Sequence, residues 1–101
     1  MKNEPNSVKY FASWGSYSVP KKPQKEIQES ELSDYPTYYK AHYDEEGRLA
    51  RFEKYIDGDL EGYDAYEYYE GTEKVKTQTL LNADGEKRVN QFDEKGKRIE
   101  E

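Results

Sequence analysis

The sequence predicts a mainly β protein, an antiparallel meander sheet of six or seven strands with one short helix. From Thr37 onward, aromatic and apolar segments of about six residues alternate with glycine-containing turns, as in hairpins that follow one another. Eleven tyrosines supply most of the large side chains that such a sheet could bury. A chain of 101 residues can form one core but is too short for two ordinary domains.

The composition is polar and acidic, with 38% charged residues, 33% hydrophobic residues and a formal net charge of −6. This charge disfavours nucleic acids and anionic membranes and favours a basic protein partner. The absence of cysteine excludes disulfides and thiolate zinc sites. No apolar segment is long enough to span a bilayer or to serve as a secretion signal, so we expect a cytoplasmic protein.

The N-terminal third contains the least regular part of the pattern. Residues 1–7 are predicted to be a flexible tail, and residues 8–101 a single β domain. The first strand is expected at 8–14, where a period of two places Val8, Tyr10, Ala12 and Trp14 on one face, with Trp14 as the core anchor.

The next segment is predicted to be a connector followed by the one helix. Pro20 and Pro23 lack a backbone donor, so residues 19–23 suit a connector or an edge strand. Residues 24–32 are the only segment predicted to be helical. A helix this short and this poor in apolar residues would depend on docking against the sheet.

The remaining strands follow from the hairpin pattern. Their turns carry a glycine each, and at Gly47 we expect the positive φ that tight hairpin turns require. The predicted strands are 37–43, 49–56, 63–69, 74–81, 87–92 and 97–100.

Two of these turns are copies of each other. The segment Tyr43-Asp44-Glu45-Glu46-Gly47-Arg48-Leu49 returns as Phe92-Asp93-Glu94-Lys95-Gly96-Lys97-Arg98-Ile99, with a weaker copy at residues 69–75. One unit is two strands and two turns, about 25 residues, in the range of short structural repeats. The first copy resembles the Y-D-x-x-G-R-L motif of the YD repeats in bacterial Rhs-type proteins.

A broader resemblance covers about residues 8–80. The order of short motifs there is similar to that of a family of small uncharacterised bacterial proteins, for which no activity is known. The motifs are Tyr10-Phe11-Ala12-Ser13-Trp14, Pro20, Glu31-Leu32, Tyr38-Tyr39, Asp44-Glu45-Glu46-Gly47-Arg48-Leu49, Phe52-Glu53-Lys54 and Tyr66-Glu67-Tyr68.

Neither catalysis nor metal binding is expected. His42 is the single histidine, and no serine lies in a recognised nucleophile motif, so we interpret it as a strand residue on the face opposite Tyr39 and Ala41. The segment 57–62 carries acids at positions one, three and five and glycine at six, as in an EF-hand loop. Position twelve is Tyr68 instead of glutamate, so we interpret the segment as a solvated turn and predict no metal and no cofactor.

The tyrosines give the best functional lead. In residues 63–69 they fall on both faces of one strand, although a single-layer sheet can cover only one face. Ordinary cross-strand aromatic pairs would account for this pattern, and so would a protein-binding surface, in which tyrosine is enriched. The predicted protein-binding residues are Tyr38, Asp64, Tyr66, Glu67 and Tyr68.

The sequence therefore favours a non-enzymatic, acidic protein-binding module with a basic partner and no nucleic-acid or membrane ligand. An inhibitor or immunity protein of a bacterial toxin system would fit this description. The alternative is a structural β protein that forms homo-oligomers through an exposed sheet edge. A small hydrolase that uses carboxylate chemistry ranks below both.

Overall fold

The computed structural model describes residues 4–15 and 19–99. In these residues eight strands form one antiparallel sheet, which confirms the predicted mainly β meander and adds one or two strands to it. A 3₁₀ helix, Glu29–Asp34, is the only helix described. The strands are β1 Val8–Gly15, β2 Lys22–Ile27, β3 Thr37–Tyr43, β4 Leu49–Ile56, β5 Asp59–Tyr68, β6 Val75–Leu81, β7 Lys87–Phe92 and β8 Arg98–Ile99.

The predicted helix at 24–32 is wrong in its first half. Residues 24–27 belong to β2, which pairs with β1 through Tyr10 opposite Ile27 and Trp14 opposite Pro23. Residues 29–32 belong to the 3₁₀ helix. Ile27 is buried in this pairing, and the other residues of β2 are exposed or partly exposed, as suits an edge strand. The segment has too few apolar residues to form the buried face of a helix, whereas an edge strand needs only one buried apolar residue.

The sheet order is β2-β1-β3-β4-β5-β6-β7-β8. β2 and β3 thus lie on either side of β1, and the 3₁₀ helix carries the chain from one to the other. From β3 onward each strand pairs with the next along the chain. Asn6 donates a backbone hydrogen bond to Asp44, and Ser7 accepts one from Tyr43, so part of the predicted tail continues the β1–β3 pairing.

Three turns share one hydrogen-bond pattern. Oδ1 of Asp44, of Asn82 and of Asp93 accepts from the backbone N–H groups two and four residues further on. In each turn the glycine three residues on has positive φ. The repeat seen in the sequence therefore corresponds to a hydrogen-bonding pattern that is repeated in the turns. Residues 1–3 of the predicted tail and residue 100, the predicted end of the last strand, lie outside the described residues.

Gly47→Ala tests this turn. The backbone of Gly47 has φ 77, where a Cβ is disfavoured. We expect the substitution to lower the free energy of unfolding by about 1 kcal/mol, measured by urea denaturation. Glu45→Ala, at an exposed position of the same turn, should change it by less than about 0.5 kcal/mol. Equal effects of the two substitutions would contradict the assigned turn.

One face of the sheet carries the core, and we call it the core face. Its partly buried members include Trp14, Tyr39, Tyr68 and Phe92. The buried residues of this cluster are Phe11, Ala41, Tyr43, Leu49, Phe52, Tyr66 and Val75.

The predicted inner face of β1 is wrong in part. Phe11 is the buried residue of this strand, and Val8 is 44% exposed. Trp14 packs against the core cluster, partly buried. Both faces of β1 carry aromatic rings, so alternation alone does not choose between them. The pairing of β1 with β3 decides which face is buried, because Phe11 of β1 lies opposite Tyr39 and on the same face as Ala41.

The opposite face is the tyrosine face, which includes Tyr10, Tyr38 and Tyr55. The register continues this face across the sheet to Val89 on β7 and Ile99 on β8, which are 55% and 47% exposed. Most residues of β7 and β8 are exposed whichever face they occupy, so the sheet extends beyond its core. In the described part of the chain no helix has the length and apolar character needed to span a membrane.

Candidate functional site

The structure places the five predicted binding residues on both faces of the sheet. Asp64, Tyr66 and Tyr68 lie on the core face, because Asp64 is opposite Phe52 and the other two follow at a period of two. Tyr38 and Glu67 lie on the tyrosine face. The five residues therefore do not form one continuous surface.

Asp64 and Tyr66 join the sheet to the connection between β1 and β2. Each is only 5% exposed. The Tyr66 hydroxyl donates to Asp64 Oδ2 at 2.9 Å and accepts from the backbone N–H of Lys21 at 3.1 Å. Lys21 Nζ lies 3.3 Å from Asp64 Oδ1. This network holds residue 21, in the connection between β1 and β2, against β5, which lies three strands away from β1 in the sheet.

A cleft of about 220 Å³ lies beside this network, and we call it the Trp14 cleft. Lys21 Nζ is 4.5 Å from the centre of the Trp14 ring, a cation–π contact. The stacked pair Tyr39 and Phe52, with ring centres 5.1 Å apart, forms part of the wall. The remaining lining residues are Lys54, Glu61, Gly62, Tyr63, Asp64, Leu81, Asn82 and Ala83.

Tyr68 has a structural role at the other end of β5. Its hydroxyl donates to the backbone carbonyl of Leu49 at 2.6 Å, and the Arg48 guanidinium lies 4.7 Å from its ring centre. Arg48 also donates to Asp44 and to the carbonyl of Thr72, so it joins two neighbouring turns. The ring of Tyr68 is thus packed between strands.

Burial of Tyr66 makes the stability of the protein depend on pH in the alkaline range. Desolvation, with the nearby Asp64 carboxylate, raises the pKa of Tyr66 far above its ordinary value of 10.0. In the unfolded chain this tyrosine ionises above about pH 10, while in the folded protein it stays neutral. Its contribution to stability is therefore complete below that pH and is lost as the pH rises.

We expect the stability difference between wild type and Tyr66→Phe to shrink by about 1.4 kcal/mol per pH unit above about pH 10. Urea unfolding of both proteins across this pH range measures the difference. A constant difference would mean that Tyr66 ionises as readily in the folded protein as in the unfolded chain.

The tyrosine face carries a row of three rings across three neighbouring strands. Tyr38 of β3 lies between Tyr10 of β1, 6.1 Å away and edge-on, and Tyr55 of β4, 5.2 Å away and stacked at 10°. All three side chains are partly exposed. The Tyr10 hydroxyl donates to Glu29 of the 3₁₀ helix at 3.4 Å.

A buried carboxylate fixes the β4 end of this row. Glu53, 7% exposed, accepts from Arg51 Nε at 2.8 Å and from the Tyr55 hydroxyl at 3.2 Å. His42 Nε2 is 2.7 Å from Glu53 Oε1. Burial alone would raise the pKa of Glu53, but the hydrogen bonds and charges of His42 and Arg51 outweigh it and hold that pKa below its usual range. Glu53 therefore orients its neighbours as an ionised acceptor.

The remaining sequence candidates have structural placements. His42 lies on the face opposite Tyr39 and Ala41, as predicted, and belongs to the Glu53 network. In the EF-hand-like segment, Asp57 and Gly58 have positive φ and form a two-residue hairpin turn. Across residues 4–15 and 19–99, no three histidine or acidic side chains are grouped to hold a metal ion.

The sequence reasoning missed four residues that now define these two regions. Tyr10 and Tyr55 join Tyr38 only because β1, β3 and β4 are neighbours, and strand order was not readable from local patterns. Lys21 lies over the Trp14 ring and pairs with Asp64, which is far away along the chain. The one available signal was the pair of prolines around Lys21, which marks a connector but not its destination.

Comparison with known proteins identifies the family of the chain. A search of the curated proteins and a search of the solved structures gave no significant match. A family model, described as a family of unknown function (DUF6156), matches residues 3–101. Because this match covers nearly the whole chain, the protein belongs to the DUF6156 family.

Proposed function

We propose that this protein is a non-enzymatic protein-binding module that docks a basic partner on its tyrosine face. The observation that carries the proposal is the row of Tyr10, Tyr38 and Tyr55, three partly exposed rings in which the middle ring contacts the other two. Tyrosine is enriched at interfaces, and rings that are already fixed lose little conformational entropy on binding. The hydrogen bond from Tyr55 to buried Glu53 supplies this rigidity.

The charge of the chain supports a basic partner. The net charge of −6 steers positively charged proteins towards it and repels acidic ones. Glu67 lies on the tyrosine face and is exposed, so it is placed to act on the association rate. Within this proposal we place the protein in the cytoplasm.

The more specific proposal is an inhibitor or immunity protein of a bacterial toxin system. It is supported by the resemblance of residues 43–49 to the YD repeats of Rhs-type proteins, which occur in toxin delivery, and this is an analogy of motif. The hydrogen bonds around Asp44 and Asp93 are equivalent, so the two copies of the motif form the same turn.

Affinity measurements on a partner captured from host lysate test the proposal. Tyr38→Ala should weaken binding by about 2 kcal/mol or more, chiefly through faster dissociation, because it removes the middle ring of the row. Tyr38→Phe keeps the ring and should bind nearly as wild type. Glu67→Lys should mainly slow association, and more so at low salt.

The controls separate binding from folding. Each variant is compared with wild type in urea denaturation, and only variants that remain folded are interpreted. If folded Tyr38→Ala and Glu67→Lys both bind like wild type, the tyrosine face is ordinary sheet surface and the proposal fails.

Self-association is the second candidate, and exposed apolar residues at the end of the sheet favour it. Val89 and Ile99 lie on one face of β7 and β8. Size-exclusion chromatography with light scattering would detect a dimer. Val89→Lys should dissociate it, because a charge would be buried without a partner.

A further inference from the structure

The Lys21 side chain occupies a site built for a cation. Its ammonium lies over the Trp14 ring at 4.5 Å and beside the Asp64 carboxylate at 3.3 Å. A ring face and a carboxylate together are the usual surroundings of a bound alkylammonium group in proteins. Asp64 is itself fixed by the Tyr66 hydroxyl, so the carboxylate stays in place when the lysine side chain moves.

The space for another side chain lies directly beside Lys21. The Trp14 cleft, about 220 Å³, continues from this contact along Tyr39 and Phe52. Pockets for drug-sized ligands and cofactors run from about 300 to 1,000 Å³. The cleft is therefore sized for one amino-acid side chain with an apolar stem.

The charges around the cleft favour a cation when Lys21 is left out. Asp64 and Glu61 then face a single amine, that of Lys54. Asp64 is 5% exposed, and a buried carboxylate without a positive partner is strongly destabilised. A cation must therefore stay near Asp64, either Lys21 or a replacement.

Exchange of that cation needs only a side-chain movement. The backbone N–H of Lys21 remains bonded to Tyr66, so the connection keeps its position on the core face. The Lys21 ammonium is partly exposed, 27% over the side chain, and can reach water by rotation about its own bonds.

We propose that the Trp14 cleft binds a lysine side chain presented by a protein partner, and that Lys21 holds the site as an internal competitor until the partner arrives. Trp14 contacts the ammonium from one side, Asp64 pairs with it, and Tyr39 and Phe52 contact its aliphatic stem. The inference rests on the proposed function only in assigning the lysine to a basic protein partner, and it places this second contact on the core face, opposite the tyrosine row. The test below uses a free lysine analogue and needs no partner.

The experiment follows the fluorescence of Trp14, the one tryptophan in the chain, during titration with Nα-acetyl-lysine methylamide. Lys21→Met removes the internal competitor and keeps an apolar stem of similar length. Tethered groups compete at effective concentrations in the millimolar range, so the variant should bind the analogue at least about tenfold more tightly than wild type.

Two controls show whether binding depends on the ammonium of the analogue and on the carboxylate of Asp64. Nα-acetyl-norleucine methylamide has a similar stem without the ammonium and should bind Lys21→Met far more weakly. The double variant Lys21→Met/Asp64→Asn has neither charge, so it has no buried unpaired carboxylate and should show no response to the lysine analogue.

If Lys21→Met does not fold, wild type decides the question by NMR. At a saturating concentration of the analogue, the ε-methylene signals of Lys21 should move to the shifts of a lysine in water. Lys21 signals that do not move would overturn the proposal.

Other results also overturn it. The first three are the absence of a response in folded Lys21→Met, equal binding of the norleucine analogue, and equal binding of the lysine analogue by the double variant. The fourth is preferential binding of Nα-acetyl-glutamate methylamide, because the lysines of the cleft would then be the groups that recognise the ligand. Analogue binding is read without a partner, so failure here leaves the tyrosine-face proposal standing. Failure of the Tyr38 and Glu67 variants likewise leaves this one standing.

Discussion

Phe52→Ala is expected to lower the free energy of unfolding by about 3–5 kcal/mol, the range for truncating a buried aromatic ring. Phe52 is 3% exposed, stacks on Tyr39 at 5.1 Å and lies opposite Ala41 in the middle of the sheet. A single sheet layer has few other side chains that can move into the space. Because domains of this size have about 5–15 kcal/mol of stability in total, the variant should be close to unfolding.

Urea denaturation followed by far-UV circular dichroism measures this loss. Val89→Ala is the matched control, an apolar truncation at a position that is 55% exposed, and should change the stability by less than about 0.5 kcal/mol. Similar effects at the two positions would mean that the core face is not the principal site of burial.

Gly62→Ala is expected to cost about 2–3 kcal/mol, because a Cβ at this position would collide with the backbone carbonyl of Leu81 on the neighbouring strand β6. That carbonyl belongs to the sheet, where Leu81 lies opposite Tyr63. It cannot move away without disturbing the pairing of β5 with β6. The register of β5 against β4 also shifts beside Gly62, between Lys54 and Tyr55.

Gly15→Ala is the control for this collision. The nearest atoms to its Cβ would be those of the Gln24 side chain, which can rotate away, so the loss of stability should be small. The two variants are compared by thermal and urea unfolding. If Gly62→Ala is as stable as Gly15→Ala, the β5–β6 contact is looser than the structure indicates.

Much of the strand content was predictable because turn chemistry is local. The predicted strands 37–43, 49–56 and 87–92 have the same bounds as β3, β4 and β7. Each is bounded by a turn in which glycine and an Asp or Asn side chain determine the backbone, and such turns are readable over five residues.

The N-terminal part was not predictable in the same way. β2 contains three consecutive polar residues, Gln24, Lys25 and Glu26, and its only buried residue is Ile27. Its conformation is set by hydrogen bonds to β1, and the position of β1 between β2 and β3 depends on long-range pairing. Neither the hydrogen bonds between β1 and β2 nor the order of the strands can be read from a local sequence pattern.

The candidate site was predictable in composition but not in arrangement. Period two correctly separates Tyr66 and Tyr68 from Tyr63. This period does not show which face of the sheet is buried. In the structure the buried face is the one that carries Tyr66 and Tyr68. That choice depends on Phe11, Ala41 and Phe52 from three other strands, so only the assembled sheet decides it.

The exposure of β7 and β8 on both faces has a consequence for how the molecule loses structure. These strands gain most of their stability from hydrogen bonds to a neighbour and little from burial, so they belong to the low-stability end of the protein. The C-terminal hairpin can open by itself while β1 to β6 keep the tyrosine row and the contacts of Lys21 with Trp14 and Asp64 intact. Opening would expose the outer edge of β6, and there a strand from another chain could take the vacant place.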